Sequence, residues 1–269
     1  VSVASVSRIL NNDETFSINE NTRKRVIEIA NQLNYSKDKS FSSSREAGDK
    51  NTIAIITRHN SESERNDPYF MMIRNGIEKE AAKWRLKTVR VFSMRDQDKD
   101  LTQLAKYGAV IIIGEMTQEA LQEISRYNQH IILVDNYSEN DAYDCIQTDF
   151  ARKTHQILDI LKAKGHENIA FIGGVSSRVT ITGEVVYDEQ EIRAENYKNW
   201  MLMNKLEEYS HVFQGKWSPE TGLAFGRKIA EMTPRPTAII VASDPMAVGV
   251  YKALNEHGLK IPEDLSLIH

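Results

Sequence analysis

Several side chains suited to binding a polar ligand follow short β-branched runs of the sequence. Asp135 comes after residues 131–134, Asp149 after 145–148 and Asp244 after 238–242. Carboxylates accept hydrogen bonds from vicinal hydroxyls, an arginine donates them, and an aromatic face packs against the C–H face of a sugar ring. The residues that could bind in this way are Tyr69, Phe70, Asp135, Asp149, Arg193, Trp217 and Asp244.

Each of these residues also has an ordinary structural interpretation. Asp67 and Asp244 both precede a proline, as an N-cap residue precedes a proline at the first helical position, and for Asp67 we prefer this interpretation. Arg193 could pair with Glu189 along one helix face. The aromatic side chains could pack in the core. Residue types alone therefore leave ligand binding open.

The first residues of the chain contain a second group of chemically suited side chains. Residues 3–10 form a helix candidate that Ser2 could cap, with Ser5, Ser7 and Arg8 outside its apolar face. A helix that enters the major groove needs small residues for close approach, hydroxyls for phosphates or base edges, and an arginine for guanine or phosphate. An ordinary capped surface helix is the alternative. Charge does not distinguish between these two interpretations, because residues 1–45 carry seven basic and five acidic side chains.

Two further segments complete the predicted N-terminal part. Ser17 and Glu20 have the spacing of a capping box, which predicts a second helix running to about Leu33. Residues 36–51 follow with four serines and alternating charges, a composition typical of a linker.

From Thr52 onward, β-branched runs alternate with amphipathic stretches of ten or more residues. Such alternation predicts right-handed crossovers and a doubly wound, mostly parallel α/β sheet with helices on both faces, and the length allows two lobes. The strand candidates are 53–57, 88–92, 110–113, 131–134, 169–172 and 238–241. The helix candidates are 68–84, 118–127, 152–164, 189–203, 220–232 and 245–256.

Composition excludes several classes of protein. The longest apolar runs, such as 109–113, are far shorter than the roughly 20 residues that cross a bilayer, so we expect no membrane partner. One cysteine, Cys145, excludes an intrachain disulfide framework and fits a reducing, cytoplasmic compartment. His155 and His166 lack zinc-site spacing, and phosphate-binding glycine motifs and nucleophile elbows are absent from the sequence. We therefore expect no metal, no cofactor and no catalytic activity.

Three segments stand in order near the N-terminus: Val1-Ser2-x-x-Ser5-Val6-Ser7-Arg8-x-Leu10-Asn11, Thr22-Arg23-x-Arg25-Val26 and Leu33-Asn34-Tyr35. They resemble the DNA-binding headpiece of the lac repressor/galactose repressor family. The resemblance implies a helix-turn-helix followed by a third helix, with the family's first helix expected before Val1. It further implies that the recognition helix carries Val3, Ala4, Ser5 and Arg8, with Ser7 and Asn11 near phosphate.

Residues 36–51 depart from the hinge of that family. The usual hinge has a proline soon after the tyrosine and a leucine that wedges into the minor groove. Here Lys37 stands at the proline position and Ser44 near the leucine position. Phe41 is the only bulky apolar residue available as a wedge. A flexible tether is the alternative for this segment.

The C-terminal half contains Gly165-His166-x-x-Ile169-Ala170-Phe171-Ile172-Gly173-Gly174, Arg193 with Tyr197, Val241-Ala242-Ser243-Asp244-x-Met246-Ala247-x-Gly249, and Gly258-x-x-Ile261-Pro262-x-Asp264-Leu265-Ser266. These segments are similar to the effector-binding core of the same family. The resemblance implies that Arg193 and Asp244 bind an effector between two lobes, that Trp217 stacks on it, and that the core would continue beyond His269. Residues 67–70 and 73–78 resemble most the galactose repressor branch of the family, which includes the evolved β-galactosidase repressor.

The resemblance implies a periplasmic-binding-protein-like core. We expect a headpiece at 1–35, a hinge at 36–51, an N-terminal lobe at 52–148 and an incomplete C-terminal lobe at 149–269. The expected function is repression of a carbohydrate operon, with double-stranded operator DNA, a small sugar such as a galactoside and a second copy of the chain as partners. Two alternatives are a periplasmic-type sugar-binding protein without DNA function and a doubly wound enzyme.

Overall fold

The computed structural model describes residues 2–10, 18–19, 21–23, 25–26, 29, 50–60, 64, 68–136, 142–188 and 190–269. The chain divides into two compact units, Val1–Ala47 and Gly48–His269. Several residues named from the sequence lie outside the described residues. They are the hinge residues Lys37, Phe41 and Ser44, the capping-box residues Ser17 and Glu20, and also Asn11 and Asp67.

Helix α1 of the first unit spans Val3–Leu10, as the sequence predicts. Ser2 caps it: the hydroxyl of Ser2 accepts a hydrogen bond from the backbone N–H of Ser5 at 3.1 Å, and the Ser2 carbonyl accepts from Val6 at 3.0 Å. Ile9 is buried, whereas Arg8 in the last turn is exposed. Among the side chains that the structure describes here, an apolar one is thus buried and a basic one is exposed, as the sequence indicates.

A second helical segment includes residues 21–23, 25–26 and 29. Asn19 supplies its N-terminal hydrogen bonds, because the Asn19 carbonyl accepts from Thr22 and Arg23 and its carboxamide oxygen accepts from the Asn21 N–H at 2.9 Å. Among the described residues, the cap is thus an Asx-type turn at Asn19.

Two parallel sheets form the second unit. The first has the strand order β2-β1-β3-β4-β5 and the second the order β11-β10-β6-β9, with parallel pairing throughout. The strands of the first sheet are β1 Thr52–Thr57, β2 Lys87–Ser93, β3 Ala109–Ile113, β4 Ile131–Val134 and β5 Asp144–Ile146. Those of the second are β6 Ile169–Gly174, β9 His211–Gly215, β10 Ala238–Val241 and β11 Ser266–Ile268.

Helices cover both faces of each sheet. They are α2 Tyr69–Lys83, α3 Gln118–Ser125, α4 Phe150–Ala163, α5 Ile192–Met203, α6 Pro219–Ala230 and α7 Asp244–Glu256. On the first sheet, α3 packs on one face and α2 on the other; on the second sheet, α4 and α5 share one face and α6 and α7 the other. Because both faces are covered, the central strands are continuous apolar runs. The doubly wound α/β fold predicted from the sequence is confirmed.

An antiparallel hairpin is the exception to this parallel arrangement. Its strands are β7 Ser176–Val179 and β8 Val185–Asp188, and we call residues 176–188 the hairpin. The sequence predicts neither strand, because polar residues separate its apolar ones, Val179, Ile181 and 185–187. Strands β5, β9 and β11 were also absent from the strand candidates, since these three strands at sheet edges have no fully buried apolar run.

Helices α6 and α7 pack so closely that glycine is required between them. A Cβ atom on Gly249 would lie 2.0 Å from the Pro219 carbonyl oxygen, and one on Gly222 would lie 2.1 Å from that of Met246. We expect Gly249→Ala to lower the free energy of unfolding by about 2 kcal/mol through overpacking. Gly76→Ala on α2 is the matched control, because a Cβ atom there meets nothing within 4 Å. Urea denaturation measures both, and equal stabilities would contradict this packing.

Candidate functional site

Polar side chains from the two sheets meet beyond the carboxyl ends of their strands, where ligands bind in open parallel sheets. Arg58 follows β1, and its guanidinium donates to the backbone carbonyl of Ser177, just past β6, at 2.6 Å. Asp135 follows β4, and its carboxyl group lies close enough to Arg193 for the arginine's charge to act on its pKa. The strand ends therefore form one connected cluster.

Arg193 is held rigidly in the first turn of α5. Its Nε donates to Oε1 of Glu191 at 2.6 Å, and Nη1 donates to the carbonyl of Ala242, just past β10, at 2.8 Å. Glu191 caps α5, since its carboxylate also accepts from the backbone N–H groups of Arg193 and Ala194. The side chains of Arg193 and Glu191 are only 19% and 4% exposed. A largely buried ion pair, together with the hydrogen bond to Ala242, thus fixes the guanidinium.

Two aromatic rings contact the guanidinium. The central carbon of the Arg193 guanidinium lies 4.5 Å from the ring centroid of Phe150 and 4.9 Å from that of Trp217, within the range of cation–π contacts. Trp217 is held in turn by a hydrogen bond from its indole N–H to the carbonyl of Val175 at 3.0 Å. Gly174 makes room for the indole, because a Cβ atom there would lie 2.0 Å from it.

Tyr69 and Asp135 form the part of the cluster contributed by the first sheet. The Tyr69 hydroxyl donates to Oδ1 of Asp135 at 3.2 Å. Burial, together with the charge of Asp135, raises the pKa of Tyr69 to about 12. Burial also raises the pKa of Asp135, although the hydrogen bond from Tyr69 and the charges of Arg193 and Arg58 oppose this shift. A carboxylate with this environment is ready to accept hydrogen bonds from ligand hydroxyls that replace water.

We expect Asp135→Asn to raise the melting temperature at pH 7. Because the pKa of Asp135 is raised in the folded state, the ionised carboxylate costs folding free energy at neutral pH, and this cost disappears as the pH falls below the ordinary aspartate pKa. Asparagine also tolerates the left-handed backbone of this residue, φ 53°, and keeps an acceptor for Tyr69. Thermal melts from pH 7 to pH 4 should show the advantage shrinking; a lower melting temperature at pH 7 would contradict the assignment.

The other predicted ligand residues have structural partners. Phe70 packs against the core of the first sheet and lies 4.4 Å from the ring of His59. Asp149 caps α4 through the N–H of Arg152 and pairs with the Arg152 side chain at 2.9 Å. Their role in ligand binding stays a prediction.

Asp244 is not the cap that its position before a proline suggests. It is the first residue of α7, after Ser243, and its side chain is 83% exposed and 2.9 Å from Nδ1 of His269. Likewise the partner of Arg193 is Glu191, whereas Glu189 lies outside the described residues. Both differences arise because the helix starts are shifted: α7 begins one residue before the predicted 245, and α5 begins three residues after the predicted 189.

Sequence reasoning missed Phe150 and Glu191, the two side chains that hold Arg193. A signal for Phe150 was its place directly after Asp149, which follows the short run 145–148. Glu191 precedes Arg193 by two residues, a spacing that allows a capping carboxylate to reach the arginine but has little predictive value alone.

The candidate DNA-binding residues Val3, Ala4, Ser5, Ser7 and Arg8 all belong to α1. The hydroxyl of Ser5 lies 2.9 Å from that of Ser2, so the two serines form a hydrogen bond at the N-terminus of the helix. Arg8 is exposed in the last turn. The assignment of these residues to DNA contacts stays a prediction.

Three family models match the chain. Residues 1–38 match the model of bacterial regulatory proteins of the lacI family. Residues 50–188 match the periplasmic binding proteins and sugar binding domain of the LacI family, and residues 158–269 match a periplasmic binding protein-like domain. Within the described ranges, none of the helices is long and apolar enough to cross a membrane.

Individual relatives agree with these matches. The chain is 31% identical to the HTH-type transcriptional regulator GalR of Streptococcus thermophilus, covering 100% of this chain and 78% of that protein. It is 32% identical to the HTH-type transcriptional repressor MelR of Bacillus subtilis, covering 100% and 77%. Among solved structures, a lac repressor dimer bound to operator and an anti-inducer has a TM-score of 0.60 at 18% identity, covering 99% of this chain and 78% of that one.

Proposed function

This chain belongs to the lacI family of bacterial regulatory proteins, and from that premise we propose that it represses a carbohydrate operon in response to a galactose-containing sugar. It is a DNA-binding transcriptional regulator. The names of its relatives GalR and MelR support the galactoside class of effector. We propose further that it catalyses no reaction.

The observation that carries the proposal is the guanidinium of Arg193 in contact with the rings of Phe150 and Trp217, next to the Tyr69–Asp135 pair. A sugar ring offers vicinal hydroxyls and an apolar C–H face. Asp135 supplies acceptors for the hydroxyls, Arg193 supplies charged donors, and the indole supplies an aromatic face. A site of this kind binds a neutral polyhydroxylated ligand in preference to an anion, because the nearby carboxylates offset the positive charge of the arginine.

Regulation requires that the two ends of the protein be coupled. The site takes residues from both sheets, so a bound sugar favours one arrangement of the two lobes over another. We propose that this arrangement lowers the affinity of the headpiece for its operator. The coupling is reciprocal, so operator DNA lowers sugar affinity by the same factor.

We propose that the functional form is a homodimer. An operator with two-fold symmetry presents two half-sites, and a two-fold dimer places one recognition helix at each of them. The matched lac repressor structure is a dimer on its operator.

A thermal-shift panel tests the effector class. Galactose, melibiose and lactose are the candidate sugars, with mannitol and glycerol as polyol controls. A ligand that binds only the folded protein at about 100 times its Kd adds about 2.7 kcal/mol of stability and raises the melting temperature. We expect a rise with at least one galactoside and none with the controls. The absence of a shift with every galactoside would contradict the proposed effector class.

A further inference from the structure

The hairpin belongs to the second sheet by sequence but packs on the first. It begins two residues after β6, and β8 ends five residues before Arg193. Val179, at the end of β7, is 1% exposed and lies in the hydrophobic core that includes Val110, Ile112 and Met116 of the first sheet. The predicted division after residue 148 assigns this segment to the C-terminal lobe, so the hairpin connects the two lobes.

Backbone pairing fixes this contact. Val179 forms a parallel β-bridge with Met116: its N–H donates to the Glu115 carbonyl at 3.2 Å, and its carbonyl accepts from the Thr117 N–H at 3.1 Å. At the tip, Gly183 has φ +91°, and a Cβ atom there would lie 2.8 Å from the carbonyl oxygen of Met94. The hairpin therefore contacts the first lobe at two places, the end of β7 and the turn between its strands.

The base of the hairpin holds two charged residues of the first lobe. Arg58 donates to the carbonyl of Ser177 at 2.6 Å and to its hydroxyl at 2.7 Å. The Ser176 hydroxyl donates to Oε2 of Glu115 at 3.3 Å. Burial raises the pKa of Glu115, the charges of Arg58 and Arg178 lower it, and the charge of Asp135 raises it. The charge of Arg58 also lowers the pKa of Asp135. The held residues thus continue the polar cluster beyond Asp135.

We propose that the hairpin is a strap that positions Arg58 and Glu115 as one polar wall of the effector site, with Val179 as its anchor. This inference rests on the proposed function. Ser176, Ser177 and Val179 are positioning residues: they act through Arg58 and Glu115. Because the strap leads directly into the segment before α5, it also links the position of Arg193 to the surface of the first lobe.

Two variants release the anchor. Val179→Asp places a carboxylate in the apolar core and drives the hairpin off the first lobe. Gly183→Ala strains the turn and pushes it away from Met94 without changing the core, so it decides the matter if Val179→Asp does not fold. Val186→Asp is the matched control, because Val186 lies on the other strand of the hairpin and is 50% exposed.

Hydrogen exchange and calorimetry of the full-length protein test the strap. We expect both variants to exchange the amides of residues 115–117 and 176–179 faster, and to bind galactose or melibiose about tenfold more weakly, since charge-assisted contacts are misplaced. Val186→Asp should change neither quantity.

The outcomes separate the strap from the proposed function. Unchanged exchange in both variants would show that Val179 and Gly183 are not anchors. Faster exchange with unchanged sugar affinity would overturn the positioning role while sugar binding stands. If the unaltered protein binds none of the galactosides, the proposed effector class fails, and the exchange of the variants alone decides whether the hairpin is anchored.

Discussion

Replacement of Arg193 by alanine is expected to weaken binding of the sugar effector about 100-fold, which corresponds to the loss of two charge-assisted hydrogen bonds. The fold should survive at reduced stability, because Oε2 of Glu191 keeps its hydrogen bonds from the N–H groups of Arg193 and Ala194, whereas Oε1 loses its partner Arg193 Nε. The change also removes the cation–π contacts of the guanidinium with Phe150 and Trp217. Calorimetry with the sugar chosen by the thermal-shift panel measures the affinity.

Two further variants make the result specific. Lys198→Ala removes an exposed cation from the same helix and breaks its ion pair with Glu195, so sugar affinity should stay within a factor of two. Arg193→Lys keeps the charge but loses the planar stacking and the Nε contact, and should still bind poorly. Normal sugar affinity in Arg193→Ala would remove this residue from the site.

Replacement of Arg8 by alanine is expected to weaken operator binding by about 1–3 kcal/mol, or about 5- to 150-fold, without an effect on sugar affinity. Arg8 is the exposed basic residue in the last turn of α1, where a guanidinium can reach a guanine or a phosphate. Fluorescence anisotropy with labelled operator at fixed salt measures the change.

The salt dependence distinguishes the two kinds of contact. A lost phosphate contact reduces the slope of log K against log salt by about one, whereas a lost base contact relaxes sequence specificity. Arg126→Ala, in the second unit, removes the same charge from an exposed position and should leave operator affinity unchanged. If Arg8→Ala binds operator normally, α1 has been assigned to the wrong role.

The sequence predicted the architecture well because burial leaves a strong signal. Strands such as β3 and β6 are covered on both faces by helices, so their apolar runs stand out from the amphipathic helices around them. Strand β9 at a sheet edge and the hairpin lacked that signal. Val179 shows what such a signal cannot predict. This valine stands among polar residues, yet it is buried because a β-bridge pairs it with Met116, next to the first sheet.

The candidate site was predicted in part. The sequence named Tyr69, Asp135, Arg193 and Trp217, and the structure brings these four together. It did not reveal what holds them. Phe150 and Glu191 reach Arg193 only because α4 and α5 start where they do, and Arg58 reaches Ser177 across more than a hundred residues. Such contacts depend on tertiary geometry, which residue spacing does not encode.

Operator affinity with and without sugar tests the central claim most directly. The full-length protein is titrated onto labelled operator at constant salt, alone and with a saturating galactoside. The account predicts that the sugar weakens operator binding by about 5- to 150-fold, the usual range of allosteric coupling, and that Arg193→Ala abolishes this response. Equal operator affinity in the presence and absence of a sugar that demonstrably binds would contradict it.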